Sequence, residues 1–183
     1  MGASTMRTSR ITALALSLAA LAAAGCLLIS GQFVVSYALP DPLPVVAGST
    51  PTGVDVDLNT ISEYGDHKDD LKRVDDLALV GDFHNNAGSS ANVEVWLVPS
   101  ATLGLTATQV AQQGVLLWGP LGVAANATEH VDWNRSSGLF AGRQALIDEV
   151  KGDGHFALYV RTSSTFNLTM TKGAVIAVTA AAK

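Results

Sequence analysis

Carboxylates are the most abundant chemistry-bearing groups in this chain, and they are clustered. Asp55, Asp57, Glu63, Asp66, Asp69, Asp70, Asp75, Asp76 and Asp82 all fall between positions 55 and 82. A hard cation such as Ca²⁺ takes six to eight oxygen ligands, and grouped carboxylates supply them. Asp55, Asp57, Asp66, Asp69 and Asp70 are therefore the candidate Ca²⁺ ligands. Their spacing is not that of an EF-hand loop, because the Asp-x-Asp at 55–57 has no later Gly and Glu in register. His67, Lys68, Lys72 and Arg73 interleave with the acids. The competing reading is a solvated face of local ion pairs, which contribute little to stability. Ca²⁺ is the one cofactor this pattern suggests.

The four histidines, His67, His84, His130 and His155, have no second His or Cys at zinc-ligand spacing. On strands, Asp82 and His84 would share one face, as would His130 and Asp132. For nucleophilic catalysis there is no Gly-x-Ser-x-Gly elbow and no Ser-x-x-Lys box. Gly152-Asp153-Gly154 lacks the lysine and the strand-to-helix setting of a phosphate loop. The single cysteine, Cys26, ends an apolar leader, so a folded domain has no thiol nucleophile to offer. Trp96 falls on the solvent side of its strand pattern. There it would serve as an interface or glycan-stacking group unless a loop or second sheet covers it. These residues point to a non-catalytic binding or structural module with a protein or glycan as partner. A hydrolase or metal-dependent enzyme is the alternative, and it needs a cluster converging on His84, His130 or the acidic stretch. Asn126-Ala-Thr128, Asn134-Arg-Ser136 and Asn167-Leu-Thr169 match the glycosylation sequon.

Composition narrows the field further. The 183 residues hold 11 basic and 16 acidic side chains, for a net charge of −5. With no Lys/Arg cluster, there is no electrostatic footprint for nucleic acid. At 15% charged and 48% hydrophobic residues the chain is neither a disordered tail nor a coiled coil.

The hydrophobic excess is concentrated at the start. Arg7 and Arg10 precede an uncharged apolar run from Ile11 to Gly25, the layout of an export signal. The run ends in Ala23-Ala24-Gly25-Cys26. Here the chain resembles the bacterial lipoprotein class, with Ala24, Gly25 and Cys26 matching its lipobox and Ala23 standing where Leu is usual. The resemblance covers about residues 6–26. It implies a signal peptide over 1–25 and lipidation of Cys26 as the mature N-terminus, which makes the membrane a partner through that lipid. Leu27, rather than Asp, after the cysteine implies the outer membrane, facing the periplasm or the cell surface. Two or more acyl chains at roughly 0.8 kcal/mol per buried CH₂ anchor a protein stably. The alternatives are ordinary secretion or an uncleaved span, since residues 11–39 carry no charge. Removing residues 1–25 leaves 158 residues at a net charge of −7.

What remains must position the polar groups, and its pattern is mostly strand. Segment 26–50 reads as a tethered arm with a first strand at about Leu28–Leu39 and a bend at Pro40-Asp-Pro-Leu-Pro44. Residues 51–183 read as one β-rich unit. Val54, Val56 and Leu58 alternate. Leu77, Leu79, Gly81 and Phe83 alternate before Asn85–Ser90, and Val93, Val95 and Leu97 after it, which predicts a β-hairpin. Phe156–Val160 and Phe166–Met170 predict a second hairpin-like unit, followed by a last β-rich run at Val175–Thr179. Asn59–Val74 reads as a short helix or long loop, with a brief helix at Thr106–Gln113 and a longer one at Leu139–Lys151. Val115–Trp118 and Thr128–Trp133 are further strands. The expected class is mainly β, an antiparallel β-sandwich, immunoglobulin-like in the loose architectural sense, with one or two short helices. The alternative is an α+β unit with one sheet and a packed helix. A further alternative function is assembly through an exposed strand edge, with Val175–Thr179 as the edge.

Overall fold

The computed structural model describes residues 32–46, 50–162 and 167–181. The leader, Cys26 and the first residues of the expected Leu28–Leu39 strand lie outside the described residues. Two antiparallel sheets face each other. One contains β1 (Gln32–Ala38), β2 (Leu43–Val46), β4 (Leu71–Asn85), β7 (Thr128–Val131) and β9 (Asn167–Ala181). The other contains β3 (Thr52–Asp57), β5 (Ala91–Val98), β6 (Val115–Val123) and β8 (His155–Thr162). Short helices α1 (Ser62–Gly65), α2 (Ala107–Gln113), α3 (Trp133–Ser137) and α4 (Arg143–Lys151) fill the connections. Among the described residues no helix is long and apolar enough to cross a membrane.

The sheet orders are β1-β9-β4-β7 and β3-β8-β5-β6, with β2 continuing β1 along the same side of β9. If β1 and β2 count as one interrupted strand, pairing is nested from the ends of the chain inward: first with last, β3 with β8, β4 with β7, β5 with β6. That connectivity is the jelly roll, a β-sandwich built as a long hairpin wrapped on itself. The sandwich expected from the alternation is the one observed.

Alternation also chose the faces as expected. Leu77, Leu79, Phe83, Val93, Val95 and Leu97 are all buried between the sheets. The sheets meet at Phe83 and Trp118, whose rings stack with centroids 5.6 Å apart. Burying a side chain of this size contributes about 1.5–3 kcal/mol.

Three local expectations are corrected. Neither expected hairpin pairs with itself: β4 and β5 lie in opposite sheets, and so do β8 and β9. The connection after Asn85 is long enough to cross the ~10 Å between packed sheets, which a two-residue turn is not. Asn85 is fully buried, and its side chain holds that crossing by donating to the carbonyls of Ser89, Val123 and Ala124 while accepting the N–H of Ala87. The helix expected from Leu139 begins at Arg143 instead. Leu139–Gly142 runs beside β6, with Gly119 N–H donating to Leu139 O at 2.8 Å and Ala141 N–H to Leu117 O at 3.0 Å. Finally, Val175–Thr179 is no edge. It sits in the middle of β9, paired with β1 on one side and β4 on the other. An uninterrupted β-branched, apolar run suits a strand flanked on both sides.

Candidate functional site: a polar patch across β7, β4 and β9

Register brings the outward residues of three strands together. In β4, Asp82 lies opposite His130 of β7 and Thr171 of β9, while His84 lies opposite Thr128 and Thr169. The inward neighbour Phe83 is fully buried, so the period of two turns Asp82 and His84 to solvent. A register shift between Val80 and Asp82 marks where the strand is re-aimed, as bulges do.

Contacts within the patch are specific. His130 Nδ1 donates to Asp82 Oδ1 at 2.6 Å, and Lys172 Nζ lies 3.4 Å from Asp82 Oδ2. His84 Nδ1 is hydrogen-bonded to Thr128 Oγ1 at 2.8 Å, and Asn86 Nδ2 donates to Thr169 Oγ1 at 3.1 Å. Lys172 has a φ of +53°, and its N–H donates to Asp41 Oδ2 at 3.3 Å. The His130 hydrogen bond, helped by Lys172, holds the Asp82 carboxyl below its ordinary value against a smaller opposing effect of burial.

These groups lie side by side and not in series. A catalytic triad needs one histidine between nucleophile and carboxylate. Here Asp82 engages His130, whereas the Thr128 hydroxyl engages His84. The His130 side chain is 74% exposed and that of Lys172 80%. Water at these positions screens charge. The arrangement is suited to hydrogen-bonding a polar ligand on a wet surface.

The acidic stretch does not gather into one site. Asp55 on β3 accepts from His155 Nε2 at 2.9 Å. Asp57 caps the one-turn 3₁₀ helix Leu58–Thr60 by accepting from the Asn59 N–H at 3.0 Å and side-chain amide at 2.8 Å. The Asn59 hydrogen bonds hold the Asp57 carboxyl below its ordinary value. Asp66 ends α1, and Asp69 and Asp70 lie in a second 3₁₀ turn, Lys68–Asp70. Among the described residues no three His, Cys, Asp or Glu side chains gather closely enough to hold a metal ion.

Asp76, one acid among many in the sequence, accepts three hydrogen bonds. Oδ2 accepts from Trp133 Nε1 at 2.9 Å, and Oδ1 accepts from Arg143 Nη1 at 3.0 Å and the Leu77 N–H at 2.9 Å. It ties β4 to α3 and α4. Trp96 is half-buried beside a small apolar cluster of Val98, Leu105, Val110, Ala157 and Tyr159. Arg161 lies over its ring at 4.7 Å, and Nε1 donates to Glu94 at 3.1 Å. The guanidinium thus takes the place on the ring where a sugar would stack. Of the sequon hydroxyls, that of Ser136 is fully buried. The sequence singles out Asp82, His84 and His130 but not their meeting, because 48 residues separate the hydrogen-bonded pair.

No family model matches this sequence, and no curated protein is similar to it. Among solved structures, a chain of Desmodium yellow mottle tymovirus is similar at a TM-score of 0.32 and 17% identity, covering 83% of this chain and 90% of that one. A chain from a structure of infectious bursal disease virus, Gx strain, is similar at a TM-score of 0.27 and 10% identity, covering 83% of this chain and 30% of that one. The jelly-roll assignment rests on strand order, not on these likenesses.

Proposed function

We propose that this chain is an exported, lipid-anchored envelope protein whose jelly-roll sandwich acts as a non-catalytic binding or structural module. The observation that carries the reading is the leader itself: Arg7 and Arg10, the uncharged run from Ile11 to Gly25, and Ala24-Gly25-Cys26 at its end. Among the described residues the first strand, β1, starts at Gln32, six positions after the cysteine in sequence. Acyl chains on Cys26 would anchor the protein to a bilayer at roughly 0.8 kcal/mol per buried CH₂. The Asp82–His84–His130–Lys172 patch supplies donors and acceptors for a polar partner, an envelope protein or a glycan.

Mass spectrometry of the mature N-terminus, paired with palmitate labelling of the parent and of Cys26→Ser, tests this. The expected result is a diacylated or triacylated Cys26 and a Cys26→Ser protein that loses both label and membrane fraction. An intact 11–25 segment in the mature protein overturns the anchored reading.

A further inference from the structure

Strand edges invite pairing, and proteins block them with prolines, charges, short strands or covering segments. Among the described residues, four of the five edge strands carry such a block. β7 is four residues long and flanked by the Arg135–Glu129 ion pair at 2.7 Å. β6 contains Pro120 and is bordered by Leu139–Gly142. β3 carries Asp55 and Asp57, and Tyr37 Oη donates to Asp55 O at 2.9 Å. β2 contains Pro44.

β1, Gln-Phe-Val-Val-Ser-Tyr-Ala, carries no charge and no proline. Its hydrogen-bond phase is set by Leu39, whose N–H donates to Gly173 O at 2.9 Å. In the continuous register Gln32↔Ala180 to Ala38↔Ala174, this assigns Phe33, Val35 and Tyr37 to the pairs bonded to β9. The backbone groups of Val34, Ser36 and Ala38 therefore point away from β9, to the side where no strand among the described residues pairs with them. All three residues are exposed, and Val34, at 53%, is the most exposed large hydrophobic residue among those described.

We propose that this edge pairs antiparallel with β1 of a second copy, about a two-fold axis at Ser36. Ser36 then faces Ser36 of the partner, and Val34 faces Ala38. The three bonded pairs supply about six new backbone hydrogen bonds and join two five-stranded sheets into one. A second copy fits because the edge is uncharged on both sides, so the pairing brings no like charges face to face, although the chain as a whole is negative. This edge pairing does not rest on the anchored reading.

Oxidative cross-linking of the full chain in detergent reads the edge separately from anchoring. A bonded antiparallel pair has Cα atoms about 5.5 Å apart, within disulfide range. Ser36→Cys is expected to give a disulfide-linked peptide joining position 36 of two copies, identified by mass spectrometry. That peptide should be at least tenfold more abundant than the corresponding one from Ala111→Cys on α2. The parent is expected to sediment as a dimer. Ser36→Pro removes only an outward N–H and Val34→Lys adds an edge charge, and each is expected to sediment as a folded monomer. A monomeric parent at about 100 µM, or a Ser36→Cys protein that links no better than Ala111→Cys, overturns the proposal. Dimers that persist in a folded Val34→Lys protein, or a Ser36→Cys protein whose new thiol links to a different protein, overturn it as well.

Discussion

Ser136 Oγ accepts the backbone N–H of Leu79 at 2.8 Å, just beyond the point where β7 stops pairing with β4. The same oxygen accepts from Trp118 Nε1 at 3.2 Å. Helix α3 thereby continues the work of a strand: one side chain satisfies a ladder donor that β7 leaves open, together with the indole of the largest core residue. Both donors are buried, so neither has water as a substitute.

Ser136→Ala should therefore cost more than a surface Ser→Ala. Two buried donors lose their acceptor at about 1–3 kcal/mol each, for a total of roughly 2–6 kcal/mol. Urea unfolding followed by tryptophan fluorescence measures it. A loss under about 0.5 kcal/mol would show that α3 is not a structural part of the sheet edge.

Asp76 predicts the shape of the acid limb. Burial alone would raise its carboxyl, but the Leu77 N–H, the Trp133 indole and Arg143 outweigh that and hold it below its ordinary value. The unfolded chain then binds the proton first as pH falls. The contribution is present above the ordinary carboxylate value and is lost as pH drops through the lower, folded one. Asp76→Asn should be less stable than the parent at pH 7, and the difference should shrink below about pH 4. Parallel stability curves for the two proteins across that range would refute the role given to Asp76.

Glu149 on α4 has the opposite sign. Burial, with Asp153 and Asp148 nearby, raises its carboxyl above the ordinary value. The folded state thus favours the protonated form. This preference is fully expressed below the ordinary value and is lost as pH rises through the folded one. Glu149→Gln should melt higher than the parent at pH 7, with the gain disappearing in acid. Thermal melts at pH 7 and pH 3.5 settle it, and a lower melting temperature for the variant at pH 7 would contradict the assignment.

Gly154 is required by two constraints at once. Its φ is +73°, and an added Cβ would run into the Tyr64 ring and hydroxyl. That hydroxyl donates to Val150 O at 3.0 Å and joins α1 to the end of α4. Gly154→Ala should cost about 1–3 kcal/mol from backbone strain alone, and more where Tyr64 is displaced. Gly65→Ala is the control, because nothing lies within 4 Å of the added atom. The comparison is a pair of denaturant midpoints, and equal midpoints would remove the steric argument.

Much of the fold was legible along the chain because its causes are local. Val93, Val95 and Leu97 alternate because a strand turns successive side chains to opposite faces, and all three are buried. The brief helix expected at Thr106–Gln113 is α2, and in the structure Thr106 and Gln109 form a reciprocal capping box at its start. Asp82 and His84 share one outward face, as their spacing implies. The partner of each strand was not legible, and the two hairpins were expected for that reason. A turn rich in Asn and Gly reverses the chain, but a strand's amides bond equally well to any neighbour.

What decided between neighbours was the closing of one core from both sheets. Leu77 and Leu79 on β4 and Val93 and Val95 on β5 bury their apolar faces against each other only if the strands lie in opposite layers. The same choice carried Asp82 to His130 and left Val175–Thr179 enclosed between β1 and β4. Composition and period thus determined which residues are strand and which side is wet. Long-range packing, which no window of neighbouring residues contains, determined who sits beside whom.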